Sequence, residues 1–356
     1  MKYRNRDEFY MAAALHLAKR GVGKTSPNPP VGCVIVKNDT IIAGDYHHKA
    51  GKAHAEVLAL GRAREKAADS TIYVTLEPCD IYGKTPPCTK ALIDSGIKRV
   101  VVGAIDPNPK VNGRGIKRLR QAGIAVITGV LGGECKRLIR PYAKYITTGI
   151  PFVTVKYAQS MDGRIATKTG ASRWISSPLS LRFAHQLRAQ SDAILVGAGT
   201  ANKDNPQLTV RLVKGKNPIR IVLAQSGKLK KDIFLLTDNS ARTIVATGRD
   251  TNYPAQIERL KVPVKDKSLN LKTFLKLLGN EGIANLLIEG GAQTITNFLK
   301  QGLVDRIILV TAPLIIGEGI SAIGDLKIKT IDGAIKLNNI EYKRIGADCV
   351  IMGDLN

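Results

Sequence analysis

Three potential metal ligands are spread over segments that differ in their local structure, so the chain must fold to bring them together. His54 begins a helical pattern in His54-Ala55-Glu56, Cys79 follows a β-rich run over 71–76, and Cys88 ends Pro86-Pro87-Cys88. One imidazole and two thiolates form a zinc donor set, and three protein ligands leave the fourth tetrahedral position to water, as in catalytic zinc sites. The pattern therefore predicts an α/β unit organised around a catalytic zinc ion.

Glu56 lies two residues after His54 and is not needed as a ligand. Zinc deaminases place their proton-shuttling glutamate there, and zinc lowers the pKa of a bound water from about 15.7 toward 7. We therefore predict a hydrolytic deaminase in which Glu56 carries a proton from water to the departing amine. The alternatives are buried free thiols or a closed structural zinc site, for which His47 and His48 are the candidate fourth ligands.

Length and composition favour a globular chain with two domains. The chain has 356 residues, of which 44% are hydrophobic and 23% charged. No apolar run approaches the ~20 residues of a membrane span, and the first residues show no apolar signal-peptide core. Five cysteines in a chain of this length favour the reducing cytoplasm. We interpret Cys33, Cys135 and Cys349 as small hydrophobic residues.

The formal net charge of +25 is compatible with a nucleic-acid binder or with an enzyme for phosphorylated anions. Basic residues are spread through both halves without a long Lys/Arg run, and aromatic residues make up only 5% of the chain. Such a composition supplies few stacking surfaces for single strands. We therefore interpret the positive charge mainly as background plus attraction of anions, and we expect neither a nucleic-acid nor a membrane partner.

Helical and strand-forming segments alternate in the first half, which predicts an α/β sandwich with a mostly parallel sheet. The prediction includes helices over 7–20, 54–66 and 134–147 and strands over 31–36, 71–76 and 99–105. Asn28 lies between Pro27 and Pro29, which fix its backbone and can aim its amide into a pocket; alternatively it is an ordinary turn residue. The turn Gly149-Ile150-Pro151 places the domains at 1–147 and 148–356.

The second half contains a strand, a glycine-containing turn and a helix in Glu289-Gly290-Gly291-Ala292-Gln293-Thr294. Glycines there would let a phosphate approach the backbone at the helix N-terminus, although a plain tight turn has the same sequence. Ser177-Pro178 predicts a helix with Ser177 as its N-cap. Arg188 and Arg211 could hold a phosphate by charge-assisted hydrogen bonds; the alternative for both is an ordinary solvated or salt-bridged arginine.

Several motifs of the first half resemble the deaminase domain of the bifunctional riboflavin-biosynthesis deaminase–reductase family. They are Ser26-Pro27-Asn28-Pro29-Pro30, Gly51-Lys52-Ala53-His54-Ala55-Glu56, Thr75-Leu76-Glu77-Pro78-Cys79, Gly83-Lys84-Thr85-Pro86-Pro87-Cys88 and Asp106-Pro107-Asn108-Pro109. The resemblance implies a cytidine-deaminase-like α/β/α sandwich. One departure is Ile81, which stands where the family usually has a histidine.

The second half resembles the reductase domain of the same family, which is similar to dihydrofolate reductase in fold and uses NADPH. The motifs include Gln159-Ser160-Met161-Asp162-Gly163-Arg164, Leu208-Thr209-Val210-Arg211 and Glu289-Gly290-Gly291. The resemblance implies cofactor contacts from Ala158, Trp174, Thr200, Asp204, Gly290, Gly291, Ala292, Gln293 and Thr294. It implies substrate contacts from Asn28 in the deaminase and from Ser172, Arg188, Leu208, Arg211 and Glu289 in the reductase.

The resemblance as a whole implies two consecutive reactions in riboflavin biosynthesis. The first is zinc-dependent deamination of 2,5-diamino-6-ribosylamino-4(3H)-pyrimidinone 5′-phosphate, and the second is NADPH-dependent reduction of its ribosyl group to a ribityl chain. We expect a cytoplasmic homo-oligomer; Lys156, Asp204 and Glu289 are candidate proton donors for the reduction. Two other hypotheses stay open, a nucleic-acid deaminase and a non-catalytic binding module stabilised by zinc.

Overall fold

A computed structural model of the protein describes residues 5–82, 86–266 and 268–355, so Gly83, Lys84 and Thr85 of the motif before Cys88 lie outside the described residues. The chain divides into two compact units, Met1–Gly149 and Ile150–Asn356. Within the described ranges, no helix has the length and apolar character needed to cross a membrane.

The first unit is a sheet with helices packed against it. Its helices are α1 (Arg6–Lys19), α2 (Ala55–Ala63), α3 (Cys88–Asp94), α4 (Arg114–Gln121), α5 (Gly132–Leu138) and α6 (Arg140–Thr148). Its strands are β1 (Gly32–Lys37), β2 (Thr40–Tyr46), β3 (Thr71–Leu76), β4 (Arg99–Ala104) and β5 (Ala125–Thr128), in the order β2-β1-β3-β4-β5.

Only half of this sheet is parallel, so the prediction of a mostly parallel sheet is wrong. β3, β4 and β5 pair in parallel, whereas β1 pairs antiparallel with both β2 and β3. The β1–β2 connection is the two-residue turn Asn38-Asp39, with φ values of 48° and 57°. Two positive φ values in a two-residue loop are the geometry of a tight hairpin, and this turn allows antiparallel pairing without a crossover helix.

Close packing around the sheet accounts for several local details. A Cβ atom on Gly32 would lie 2.1 Å from the Ala14 carbonyl oxygen, so this position in β1 lets α1 approach the sheet directly.

The helix predicted over 134–147 is two helices, α5 and α6, separated at Ile139 with φ −96° and ψ 7°. That prediction is wrong because Ile139 is itself buried in the core and turns the chain there.

The second unit contains a larger sheet in the order β11-β10-β9-β8-β14-β6-β15-β18-β17. Its helices are α7 (Pro178–Ala189), α8 (Ala198–Asp204), α9 (Phe234–Thr237), α10 (Leu271–Asn280) and α11 (Ala292–Lys300). Its strands are β6 (Phe152–Ser160), β7 (Arg164–Thr167), β8 (Ala193–Gly197), β9 (Ile219–Leu223), β10 (Thr243–Thr247), β11 (Ile257–Lys261), β12 (Val264–Lys265), β13 (Ser268–Leu269), β14 (Asn285–Ile288), β15 (Arg306–Ala312), β16 (Gly319–Ser321), β17 (Asn338–Ile345) and β18 (Asp348–Asp354).

The pairings of this sheet are parallel from β11 through β15 and antiparallel where β18 and β17 complete it. Phe274 of α10 and Phe298 of α11 are fully buried against one face of the parallel strands. Ser177 caps α7 by accepting a hydrogen bond from the Ser180 amide, as predicted. Because parallel strands end at one edge, this arrangement gathers several strand-to-helix turns there, where open α/β sheets bind ligands.

All five cysteines are free. Cys33 and Cys135 are buried, as predicted, but the prediction for Cys349 is wrong because its side chain is exposed. Cys349 lies in β18 between the buried Asp348 and Val350, and side chains alternate between the two faces of a strand.

Candidate active sites

The three predicted zinc ligands converge at one point in the first unit. His54 is the N-cap of α2, Cys79 lies just beyond β3, and Cys88 begins α3. Their ligand atoms all lie within 4.8 Å of one another, with His54 Nδ1 at 3.2 Å from Cys88 Sγ and 3.6 Å from Cys79 Sγ. A hydrogen bond with Cys88 is the main cause that lowers the pKa of Cys79 to about 4, which favours the thiolate, the form that binds metals.

The two other histidines nearby are engaged elsewhere. His47 is buried, with Nε2 3.2 Å from Asn28 Nδ2 and Nδ1 3.1 Å from the Ala53 carbonyl oxygen. Burial lowers the pKa of His47, so its neutral ring accepts from the Asn28 amide and donates to that carbonyl. His48 pairs with Asp45 at 2.8 Å. Neither histidine belongs to the group of potential metal ligands, so the described residues give no support to a closed structural site.

A cavity of about 440 Å³ opens beside these ligands. The predicted residues Asn28, His54, Glu56 and Cys79 line it, and so does Ile81. Glu56 is 3% exposed, and burial raises the pKa of its carboxyl group. A buried carboxyl group with a raised pKa is suited to taking up and releasing a proton near neutral pH.

Sequence reasoning missed several residues that line or shape this cavity. Its wall also contains Lys52, Asp106, Asn108, Tyr142 and Tyr145. The buried Asp106 accepts a hydrogen bond from the Tyr142 hydroxyl at 2.9 Å, and burial raises the pKa of this carboxyl group. The motif Asp106-Pro107-Asn108-Pro109 was a usable sequence signal for Asp106 and Asn108. The positions of the tyrosines in the sequence do not indicate that α6 supplies them to this cavity.

Glu77 is the main structural support of this wall. Its carboxylate accepts hydrogen bonds from four backbone amides, those of Asp106 (3.2 Å), Gly113 (2.9 Å), Gly115 (3.0 Å) and Ile116 (3.3 Å). The chain over 105–116, which supplies part of the cavity wall, is therefore attached to the residue that follows β3. A single glutamate at the end of a buried strand is the only sequence signal for this role.

A second cavity, of about 1010 Å³, lies along the carboxyl ends of the parallel strands in the second unit. Four predicted cofactor contacts line it, namely Thr200, Gly291, Gln293 and Thr294, whereas Ala158, Trp174, Asp204, Gly290 and Ala292 are not among its lining residues. Sequence reasoning missed Gln225, Ser226, Gly248 and Arg249, which follow β9 and β10. Their position just after parallel strands was a signal that could have found them.

The predicted substrate contacts of the second unit include a half-buried ion pair. Arg188 donates from Nε and Nη2 to the two oxygens of Glu289, at 3.0 and 2.7 Å, and from Nη1 to the Thr209 carbonyl oxygen at 3.1 Å. Arg188 thus matches the salt-bridged alternative, with only part of its donor set left for a ligand. Arg211 is exposed and donates to the Thr209 hydroxyl, a neutral partner, at 2.6 Å.

The remaining residues of this group differ in accessibility. Leu208 is 2% exposed and its side chain belongs to the core, so only its backbone can meet a ligand. Ser172 is half-buried in the loop before α7. Burial lowers the pKa of Lys156. For Glu289, burial raises the pKa, but the neighbouring charge of Arg188 lowers it by more, so the net shift is downward. A lowered pKa favours the ionised form of Glu289, whereas in Lys156 it makes the ammonium group a stronger acid, so Lys156 is the better proton-donor candidate of these two.

Comparison with known proteins extends over nearly the whole chain. A family model described as the RibD C-terminal domain matches residues 151–351, and one described as the cytidine and deoxycytidylate deaminase zinc-binding region matches residues 4–104. The riboflavin biosynthesis protein RibD of Aquifex aeolicus is 47% identical, with 97% of each chain covered. The chain belongs to the RibD family. The RibD of Escherichia coli is 39% identical, over 96% of this chain and 97% of its own.

Solved RibD structures agree with this assignment. The chain is similar, with a TM-score of 0.88 and 39% identity over 99% of both chains, to the diaminohydroxyphosphoribosylaminopyrimidine deaminase/5-amino-6-(5-phosphoribosylamino)uracil reductase of Thermotoga maritima. Acinetobacter baumannii RibD also has a TM-score of 0.88, with 35% identity. These findings confirm the predicted fold class, a cytidine-deaminase-like unit followed by a dihydrofolate-reductase-like unit. They also confirm the predicted enzyme, a deaminase with a zinc-binding region joined to a reductase, whose domain implies a nicotinamide cofactor.

Proposed function

We propose that this RibD-family chain deaminates 2,5-diamino-6-ribosylamino-4(3H)-pyrimidinone 5′-phosphate and then reduces the ribosyl group of the product to a ribityl chain with NADPH. The observation that carries the first step is the convergence of His54, Cys79 and Cys88 beside a cavity that also contains the buried Glu56. The deaminase and reductase activities named for the Thermotoga maritima relative support both the substrate and the order of the two steps.

The donor set of the first unit fits zinc. One imidazole nitrogen and two sulfurs within 4.8 Å of one another can occupy three corners of a tetrahedron. When bound, zinc supplies a Lewis acid that lowers the pKa of water at the open position. A cavity of about 440 Å³ suits a single small ring with its side chain.

The residues of the chain would divide the deamination among them. Asn28, held by its contact with His47, would orient the pyrimidine through its amide. Glu56 would take a proton from the attacking water and pass it to the amino group that leaves as ammonia. Its burial keeps this carboxyl group away from bulk water, so the proton is transferred inside the cavity.

In the second unit, the backbone of the Gly290–Thr294 turn would bind the cofactor diphosphate at the start of α11. Arg211 would bind the substrate phosphate by charge-assisted hydrogen bonds, with Arg188 and Glu289 beside it as a fixed pair. Lys156 would supply the proton that accompanies hydride transfer. The cofactor carries the chemistry of reduction, so the main contribution of the protein is positioning.

We also propose a cytoplasmic homo-oligomer that acts on small molecules and on neither nucleic acid nor membrane. The five free cysteines, two of them in the metal site, support a reducing environment. A nucleic-acid deaminase would leave the reductase unit without a function, and a purely structural zinc module would not need a buried carboxyl group beside an open cavity.

The test is turnover of the diaminopyrimidinone ribosyl phosphate by the zinc-loaded full chain, with ammonia release and NADPH oxidation followed together. Both are expected to proceed at matching rates in the wild type. Glu56→Gln should retain zinc, lose ammonia release by at least about 100-fold, and still oxidise NADPH when the deaminated substrate is supplied. Glu65→Gln, which alters an exposed glutamate beyond α2, is the matched control and should behave as the wild type. Substantial ammonia release by Glu56→Gln would refute the assigned proton transfer.

A further inference from the structure

Among the described residues, one charged side chain lines the reductase cavity, that of Arg249, and the proposed function assigns it no task. Its other lining residues in the described part of the chain are glycine, alanine, aliphatic, hydroxyl and amide residues, with no carboxylate among them. Arg249 is exposed, and within the described residues its guanidinium makes no hydrogen bond or ion pair. The cavity therefore contains an uncompensated positive charge.

The neighbouring acidic residue does not neutralise this charge. Asp250 lies next to Arg249 in the chain, but its carboxylate faces two other cations, Lys261 Nζ at 3.3 Å and Arg259 Nη1 at 3.9 Å. The Arg249 backbone amide is fixed by a hydrogen bond of 3.1 Å to the Thr247 hydroxyl at the end of β10. The local structure thus anchors the arginine at the strand end and leaves its side chain for a ligand.

The strand order shows which part of a dinucleotide would meet Arg249. The glycine turn at Gly290 and Gly291 follows β14, whereas Arg249 follows β10, three positions away in the order β10-β9-β8-β14-β6. At the usual spacing between strands this is ~14 Å. Lys156 lies on β6, the neighbour of β14 on the opposite side. With the diphosphate at the glycine turn, the nicotinamide must point toward the reacting groups near β6. The adenosine then extends along β8 and β9 toward Arg249.

We propose that Arg249 binds the 2′-phosphate of the adenosine ribose and thereby makes the reductase select NADPH over NADH. This inference rests on the proposed function. A guanidinium presents paired N–H donors that match phosphate oxygens. In other dinucleotide-binding α/β sheets an arginine accommodates the 2′-phosphate of NADP, whereas a carboxylate binds the ribose hydroxyl of NAD. The described lining of this cavity includes the arginine and no carboxylate.

The test measures direct binding of NADPH and of NADH to the full-length chain, by titration of the cofactor fluorescence without substrate. Arg249→Gln should weaken NADPH binding about 10- to 100-fold, the loss of one or two charge-assisted hydrogen bonds. NADH binding should stay within about twofold of the wild type, since NADH has no group at this position. Arg249→Lys should retain part of the preference.

Arg344→Gln is the matched control. Arg344 lies in β17 at the opposite edge of the same sheet and bonds to the Gly346 carbonyl oxygen. This variant loses the same charge, so general electrostatic attraction changes equally in both proteins, and its cofactor preference should not change. If Arg249→Gln weakens the binding of NADPH and of NADH equally, or leaves the ratio of their dissociation constants unchanged, the inference is overturned. A wild type that binds neither cofactor would instead refute the proposed reductase function itself.

Discussion

Replacement of Glu77 by glutamine should loosen the wall of the deaminase cavity while the reductase unit stays intact. The 3%-exposed carboxylate accepts four backbone N–H groups through its two oxygens. Glutamine has the same shape but only one acceptor oxygen, so its NH₂ group must face two of those donors. If the amide oxygen keeps its hydrogen bonds from the Asp106 and Gly113 amides, then the Gly115 and Ile116 amides lose their acceptor.

The size of the effect follows from these contacts. A hydrogen bond to a charged group contributes about 1.5–3 kcal/mol. Two lost bonds would therefore cost about 3–6 kcal/mol, and the 3.3 Å separation at Ile116 favours the lower end. A Cβ atom on Gly115 would lie 1.9 Å from the Pro78 carbonyl oxygen, so this tightly packed segment cannot shift to find new partners.

Hydrogen exchange of the four amides is the direct assay, because it reports local opening separately from global unfolding. A loss of about 3 kcal/mol should speed their exchange by about 100-fold, while amides in β8 of the reductase unit keep their wild-type rates. Glu65→Gln removes the same charge from an exposed side chain and should change stability by less than about 0.5 kcal/mol. Exchange within about threefold of the wild type at Gly115 and Ile116 would refute the assignment of Glu77 as the support of this wall.

Two other predictions concern named charges. Asp7→Asn should lower the free energy of unfolding of the first unit by about 2 kcal/mol at pH 7, because the carboxylate accepts two bonds from Arg99, at 3.0 and 2.5 Å, and one from Tyr73 at 2.8 Å. Burial raises the pKa of Asp7, but these hydrogen bonds lower it by more, so its folded-state pKa lies below the ordinary value of 3.8. The stabilisation is therefore complete above pH 3.8 and is lost as the pH falls through the lowered folded-state pKa. Urea unfolding at pH 7 and pH 3 should show that the difference in unfolding free energy between wild type and Asp7→Asn shrinks at pH 3, and a constant difference would contradict the prediction. Arg211→Ala should raise KM for the phosphorylated reductase substrate about 10- to 100-fold, since its guanidinium donates to the neutral Thr209 hydroxyl, whereas Arg211→Lys should retain part of the affinity. Steady-state kinetics with the deaminated substrate test this, and an unchanged KM would remove the phosphate contact.

The zinc site shows how far sequence reasoning reaches when chemistry restricts the residue type. His54, Cys79 and Cys88 could be named because few side chains bind zinc, and their flanking motifs belong to segments whose helix or strand character is readable locally. Glu56 could be named because its position relative to His54 is set within a single helix turn. Residue types and short spacings therefore carried this part of the prediction.

Predictions that depended on contacts between distant segments were less successful. Arg188 has the residue type of a phosphate ligand, yet the fold places it against Glu289, one hundred and one positions away, in a half-buried ion pair. The first sheet was expected to be mostly parallel, but the Asn38-Asp39 turn makes β1 antiparallel to β2, and β1 also pairs antiparallel with the more distant β3. In both cases the outcome is set by which segments become neighbours in space.

The sequence alone was sufficient to identify the two-part organisation, the donor set of His54, Cys79 and Cys88, and the family to which the chain belongs. The folded structure was needed to find that Glu77 supports the deaminase cavity, that α6 contributes Tyr142 to it, and that Arg249 is the one charged side chain among the described residues lining the reductase cavity. The physical reason is that ligand chemistry and helix or strand periodicity are local properties of the chain. Burial, compensation of charge and the lining of a cavity depend on segments that only folding brings together.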